Sequence, residues 1–363
     1  MLSLLRLQPL VLPPSLFCQT TFYFQFMLSY SKKSVNSVDK SDMRRMLLNF
    51  PKQFKEGLDS AKNVKLKSKF SNVAVCGMGG SAWPAEILST WLDWPIRVNR
   101  NYQLPASKKD LTIFSSYSGN TEEPLAAYQT ALKKKLVMAA ITSGGQLKEL
   151  CRQNGTPLAE IPIGLVPRMA TGYIFTALHS LLANSGLIKD KSSEILEMAK
   201  NLNPAGQENQ GKGIAEKMKE RIPIIYSSDK LKVLSYIWKI KFNETSKSPA
   251  FSHCLPELNH NELEGLAHEK ECDFHDKPIF QCLILKDPAD QPEIRKRMDL
   301  TAEILNESGL PAEIIDLTGQ SLLEKIFSSI LLADWASYYL AKAYGTDPLK
   351  TEVIERFKQK MGE

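Results

Sequence analysis

Leu111-Thr112-Ile113-Phe114-Ser115-Ser116-Tyr117-Ser118-Gly119-Asn120-Thr121-Glu122-Glu123 is the stretch on which the fold turns. An apolar run of strand length stops at hydroxyl residues, a glycine and an asparagine, and a helix-forming segment then begins with two glutamates in its first turn. The pattern predicts a strand, a tight loop and a helix N-terminus. Such a loop presents unpaired backbone N–H groups at the positive end of a helix dipole, and the hydroxyls of Ser116, Ser118 and Thr121 can point to the same place. Two readings fit it: an anion held at the helix N-terminus, or Thr121 or Asn120 doing no more than capping the helix. An anion site requires Glu122 and Glu123 to face outward.

On both sides of this stretch strands and helices alternate. Upstream lie a strand at Asn72 to Cys76, the turn Gly77-Met78-Gly79-Gly80-Ser81, a helix from Pro84 to Leu92 and a short strand from Ile96 to Asn99. Downstream follow a helix from Pro124 to Lys134, strands at Leu136 to Thr142 and Leu158 to Ile161, and helices at Gln146 to Gln153 and Tyr173 to Ser185. Ser41 to Ala61 reads as helix with a break or bend at Pro51. After Asn201 to Gly213, rich in Asn, Gly and Gln and read as a linker, the alternation resumes. Strands are expected at Ile222 to Ser227, Lys277 to Leu285 and Ala312 to Leu317, with helices at Leu231 to Phe242, Pro292 to Glu307 and Ser321 to Ala343. This is an α/β protein of two doubly wound domains with mainly parallel sheets covered by helices. In open sheets of this kind ligands sit at the carboxyl ends of strands. The first half ends its strands in glycine and serine, the second in Tyr-Ser-Ser-Asp-Lys and Lys-Asp-Pro-Ala-Asp, so only the first copy of the duplicated unit keeps an anion loop.

At 363 residues, 43% of them hydrophobic, the chain can bury a large core and divide into two domains. Its formal net charge of +6 comes from 46 basic against 40 acidic residues, with no dense basic block beyond Lys133-Lys134-Lys135, which argues against nucleic acid as the main partner. The six cysteines are scattered without a CxxC pair, which favours a reducing, cytoplasmic setting over a disulfide framework. Met1 to Leu28 is apolar but broken by Pro9, Pro13 and Pro14, too short in its unbroken runs to span a bilayer and without a complete signal-peptide pattern. Residues 1–37 are therefore set aside as a disordered or artefactual extension, with Met27 as an alternative start.

The turn Gly77-x-Gly79-Gly80-x-Ala82 comes close to a dinucleotide fingerprint, but the next strand ends Val98-Asn99-Arg100 rather than in an acid. An arginine there suits a 2′-phosphate, so NADP stays open beside a purely structural glycine turn. No GxxxxGK[ST] loop occurs.

Read together, Gly77-Met78-Gly79-Gly80-Ser81-Ala82, Ser116-Tyr117-Ser118-Gly119-Asn120-Thr121-Glu122-Glu123, Val166-Pro167-Arg168 before Thr171-Gly172-Tyr173, Asn243-Glu244, and Glu257-Leu258-Asn259-His260-Asn261-Glu262 resemble the bifunctional phosphoglucose/phosphomannose isomerases, which are built from two sugar-isomerase (SIS) domains. The resemblance runs from about residue 38 to the end. It implies a first SIS domain at 38–200, a second at 214–345 and a tail, 346–363, that returns to the active site. It further implies isomerisation of glucose 6-phosphate, and of mannose 6-phosphate, to fructose 6-phosphate without metal or other cofactor. Gly80, Ser81, Ser116, Ser118 and Thr121 would hold the phosphate, Arg168 would lie over the reacting carbons, Glu244 would be the base, and His260 with Lys358 would open the ring. Lys360 is a near rival to Lys358, and Thr351 would steer rotation within the substrate. The family is dimeric, with His260 expected to enter the neighbouring subunit's site. Small sugar phosphates and a second copy of the chain, rather than nucleic acid or membrane, are the partners implied.

The chemistry agrees with these residue types. Moving a carbonyl between C1 and C2 needs one carboxylate that takes a proton from one carbon and returns it to the next, worth about 10²–10⁴-fold. A fixed guanidinium stabilises the enediolate between, and losing such a donor costs about 10²–10³ in turnover. An imidazole suits the ring-oxygen proton near neutrality. Two rival readings use the same residues. His253, Cys254, His260, His268, Cys272, His275 and Cys282 crowd one region, and His268-x₃-Cys272-x₂-His275 is a tolerable zinc spacing. A non-catalytic SIS module that senses a phosphosugar is the other; it would have no need of a base at Glu244.

Overall fold

The computed structural model describes residues 42–66, 70, 72–268 and 278–362. The N-terminal extension, with Met1 and Met27, lies outside them, as do Cys272 and His275. The break read at Pro51 separates two helices, α1 (Met43–Leu48) and α2 (Lys52–Ser60). A five-stranded sheet follows, made of β1 (Asn72–Cys76), β2 (Arg97–Asn99), β3 (Asp110–Ser115), β4 (Val137–Thr142) and β5 (Leu158–Glu160). Helices α3 (Trp83–Leu92), α4 (Glu122–Lys133) and α5 (Gly145–Asn154) connect them, and α6 (Thr171–Asn184) and α7 (Ser192–Asn201) come after. The strand order is β2-β1-β3-β4-β5 and every pairing is parallel. Because helices cover both faces, the central strands read as unbroken apolar runs; all six residues of β3 are buried.

The second sheet has the order β7-β6-β8-β9, again all parallel, with β6 at Ile222–Ser228, β7 at Phe251–Leu255, β8 at Phe280–Lys286 and β9 at Ala312–Asp316. Its helices are α8 (Pro204–Met218), α9 (Lys232–Lys241), α10 (Glu262–Ala267), α11 (Pro292–Glu307), α12 (Leu322–Ala343) and α13 (Glu352–Met361). Each sheet starts in its interior, steps to one edge and returns past its start, so the strand order reverses between β1 and β3 and again between β6 and β8. Ligands are expected in those crevices.

One expectation needs correction and one strand was not foreseen. The segment 201–213 is not a linker: most of it is the first part of α8. Asn203 caps that helix by accepting from the Gly206 amide at 3.0 Å, Pro204 occupies the first turn, and a Cβ on Gly211 would stand 2.3 Å from that of Trp335, so the glycine permits close packing on α12. Strand β7 was not anticipated.

One hydrophobic core runs through both halves. Phe54 and Phe175 from the first half meet Phe327 of α12 edge-on, at 4.7 Å and 5.0 Å between ring centroids. Among the described residues no helix is long and apolar enough to cross a membrane.

Candidate active site

The anion loop follows β3 and the glycine turn follows β1, so both open at the point where strand order reverses. Thr121 takes the N-cap position of α4, but its hydroxyl makes no cap bond; it accepts instead from Ser116 Oγ at 3.1 Å. Ser116, itself buried, also accepts from the Gly119 amide at 3.1 Å. Ser81 is buried as well and accepts from the Tyr117 amide at 2.9 Å, which ties the two loops together. Two of the four hydroxyls thus shape the cradle, while Ser118 is exposed and Thr121 half-buried at its mouth. Among the described residues the amides of Ser118, Thr121, Glu122 and Glu123 have no acceptor within the chain, which leaves them to an anion. Glu122 is drawn aside, accepting from the Tyr102 hydroxyl at 2.9 Å.

Gly80 packs against the next component. A Cβ there would stand 2.5 Å from the Pro167 carbonyl oxygen and 2.8 Å from Arg168 Cα, so the glycine turn and the single 3-10 turn Pro167–Met169 touch backbone to backbone. From that turn Arg168, 2% exposed, crosses to the second half. Nε donates to Thr245 Oγ1 at 3.1 Å, Nη1 to Glu244 Oε2 at 3.2 Å, and Nη2 to the carbonyls of Pro348 and Leu349 at 2.6 and 3.1 Å. One Nη1–H is left without an acceptor among the described residues. Burial lowers the guanidinium pKa, opposed chiefly by the Glu244 carboxylate; the group stays charged, as arginine does.

The helix expected to end at Phe242 is extended past it, to Glu244 and beyond. Glu244 sits in one turn of π-helix, Phe242–Ser246, that continues α9, and this widened turn brings Thr245 and Glu244 together onto Arg168. The turn ends at Lys247, whose left-handed backbone (φ 57°) lets its ammonium fold back to the carbonyls of Glu244 and Thr245 at 2.6 and 3.3 Å. Desolvation first, and the charge of Arg168 second, pull that ammonium down to about 8.

The arrangement is therefore continuous: cradle of amides and hydroxyls, glycine turn, guanidinium, carboxylate. The C-terminal SIS domain of bacterial phosphoglucose isomerases matches residues 207–361. A bifunctional phosphoglucose/phosphomannose isomerase of Caldicellulosiruptor bescii is 36% identical over 342 residues, covering 88% of this chain and 99% of that one. The chain belongs to the bifunctional phosphoglucose/phosphomannose isomerases. The Aquifex aeolicus member is 32% identical, over 88% of this chain and 98% of its own. A D-glucosamine-6-phosphate 4-epimerase of Sulfolobus acidocaldarius is 31% identical, over 79% and 88% respectively. In fold the chain resembles the C-terminal domain of glucosamine-fructose-6-phosphate aminotransferase from Francisella tularensis, with a TM-score of 0.66 at 12% identity, covering 88% of this chain and 100% of that one.

The other residues expected of this family are placed differently. The tail reaches the site at its root, where Arg168 holds Pro348 and Leu349, and Thr351 follows two residues on. Lys358 lies on α13, none of whose residues is buried, and among the described residues its ammonium meets only Glu355, at 3.3 Å; Lys360 is exposed on the same helix. His260 ends the short turn Glu257–His260 and is exposed. Among the described residues no hydrogen bond or ion pair joins His260 or Lys358 to Arg168 or Glu244. Of the zinc candidates, His253 pairs with Glu262 at 2.9 Å, and the described residues hold no cluster of three metal-ligating side chains. Arg100, the candidate for a 2′-phosphate, is engaged by Glu86 through two bonds, at 2.9 and 2.7 Å.

Sequence reasoning missed Thr245, Lys247, Gln53, Lys241 and Asp334. Gln53 donates to the Met169 carbonyl at 2.8 Å and accepts from the Gly172 amide at 3.1 Å, bracing the Arg168 turn from behind. Asp334 carried a signal: it is the single charge between Lys325 and Lys342, in a helix otherwise apolar enough to be core.

Proposed function

We propose that this isomerase interconverts glucose 6-phosphate and mannose 6-phosphate with fructose 6-phosphate through a shared enediol. The observation that carries the reading is the Glu244–Arg168 pair, seated beside a cradle of free amides and hydroxyls at the strand-order reversal. Ser118, Thr121 and the amides at the start of α4 take the phosphate, while Ser81 and Ser116 keep the cradle in shape and Gly80 lets it lie against Arg168. Glu244 removes the proton at C2 of the aldose and returns it at C1. The negative charge that develops on the C1 and C2 oxygens meets the Arg168 guanidinium, which has one donor free and can add the one now given to Glu244. For both epimers to react through one base, the enediol must rotate between its two faces; Thr351, close to the tail root at Arg168, is suited to that contact. His260 and Lys358 serve ring opening, and the exposure of His260, with Lys358 half-buried on the tail helix, fits a site completed by a second copy of the chain, with His260 donated across the dimer. The two halves act as the two SIS domains, the first over 38–200 and the second beginning with α8 at Pro204 rather than at 214, inside that helix, and the scattered cysteines suit a cytoplasmic enzyme.

The test is a coupled assay of fructose 6-phosphate formed from glucose 6-phosphate and, separately, from mannose 6-phosphate, with excess EDTA throughout and glucosamine 6-phosphate as a third substrate. Turnover of both neutral sugar phosphates is expected. Rescue only by zinc, or binding without turnover, would refute the reading.

A further inference from the structure

A fully buried ion pair lies away from the cradle. Lys241, at the end of α9, and Asp334, midway along α12, are 0% and 2% exposed, and Nζ stands 2.7 Å from Oδ1 as an ion pair. Replacing such a pair with apolar side chains of similar volume is often neutral or stabilising, so its contribution to stability does not explain its presence in the interior. Burial drives both groups toward their neutral forms, lowering the lysine and raising the aspartate, and each opposes that shift in the other.

What the pair holds is more telling. Lys241 Nζ donates to the Arg168 carbonyl at 2.6 Å and lies 5.7 Å over the Trp83 ring. The other carbonyls of that turn already have partners: Val166 and Pro167 accept from the Met169 and Ala170 amides, and Met169 accepts from Gln53. Lys241 takes the remaining one. Just after Lys241 in sequence, Glu244 and Thr245 take the side chain of the same arginine. One segment of the second half therefore holds Arg168 at both ends, by backbone and by guanidinium.

We propose that Lys241, paired with Asp334, is a positioning residue for the reaction, fixing the Arg168 backbone so that guanidinium and Glu244 meet the reacting carbons in register. It acts through Arg168 and touches no substrate. The inference rests on the isomerase reading, and a readout independent of turnover separates the two.

The decisive variant is the uncharged double substitution Lys241→Met/Asp334→Leu in the full chain. Expected are a melting temperature at or near the wild-type value, affinity for glucitol 6-phosphate within threefold, KM within threefold, and kcat lower by roughly 10–100-fold, since a misplacement of about 1 Å can cost about 10²-fold. The Arg168 Nε–H resonance, assigned by its loss in Arg168→Lys, should shift or broaden. A folded double variant with kcat within twofold of wild type, or with that resonance unmoved, overturns the proposal. A wild-type protein without isomerase activity refutes the functional reading instead, and the resonance then still decides the positioning. Should the double variant not fold, Asp334→Asn carries the test: a tenfold or greater loss of kcat at steady KM is expected, and wild-type kcat overturns the proposal.

Discussion

Gly79 and Gly80 are adjacent, yet alanine should act on them for opposite reasons. Gly79 has a left-handed backbone (φ 44°) and nothing within 4 Å of where a Cβ would stand. Alanine there meets only the dihedral penalty, about 1–2 kcal/mol. Gly80 has no positive φ, but its Cβ would lie 2.5 Å from the Pro167 oxygen and 2.8 Å from Arg168 Cα. Contact between heavy atoms is comfortable only at about 3.5 Å, so the Pro167–Arg168 backbone must retreat by roughly 1 Å. Gln53 and Lys241 hold that turn from the other sides, so the strain costs about 1–3 kcal/mol as overpacking, and the displaced Arg168 costs up to about 10²-fold in turnover. The assay is kcat and KM for glucose 6-phosphate, with a thermal melt for each variant. Gly79→Ala should melt earlier with kcat within about threefold. Gly80→Ala should lose turnover well beyond what its melt explains, and wild-type kcat in Gly80→Ala would refute the claim that this contact sets the arginine.

Glu244→Gln should lower turnover about 10²–10⁴-fold while glucitol 6-phosphate affinity stays within severalfold; comparable loss of both, measured by titration calorimetry, would remove Glu244 as base. Ser118→Ala should mainly raise KM, because this hydroxyl is exposed at the cradle mouth, and an unchanged KM would take it out of the phosphate site. Lys247, lowered to about 8, loses its proton as pH rises through that value and with it the ammonium bonds to Glu244 and Thr245. The basic limb of kcat/KM should fall near pH 8 and move upward in Lys247→Arg, and a limb that stays in place in that variant rules the lysine out.

The sheets were legible in the sequence because parallel strands covered on both faces are apolar throughout and end abruptly; β3 and β4 could hardly be read otherwise. Strand β7 escaped because it is an edge strand. Phe251 is exposed, Ser252, His253 and Cys254 are half-buried, and only Leu255 is enclosed, so neither a continuous run nor an alternation appears. The first part of α8 was mistaken for a linker because Asn, Gly and Gln dominate it. Its helicity comes from the Asn203 cap and from packing on α12, which composition does not record. In the site, Arg168, Glu244 and the serine loop stood out through their motifs, whereas Lys241 and Thr245 did not. A lysine near a helix end is ordinarily a solvated charge, and only the arrival of α12 turns this one inward.

The duplication also explains why the two halves do different work. At the second reversal, between β6 and β8, the strand ends carry Ser228, Asp287 and Asp290 in place of a glycine–serine cradle. Asp287, 1% exposed, is taken by Lys325 at 2.6 Å, and burial raises the Asp290 carboxyl. Carboxylates lodged there repel a phosphate and occupy the crevice that a ligand would need. The second half instead uses the far end of α9, the first helix after β6, where a π turn delivers Glu244 and Thr245 and Lys241 stands immediately before that turn. In the proposed mechanism one half thus holds the anion and supplies the arginine, and the other supplies the acid that works on the carbons. The reaction centre forms only where they meet, and Arg168, anchored in the first half and bonded to the second, is the residue on which that meeting depends.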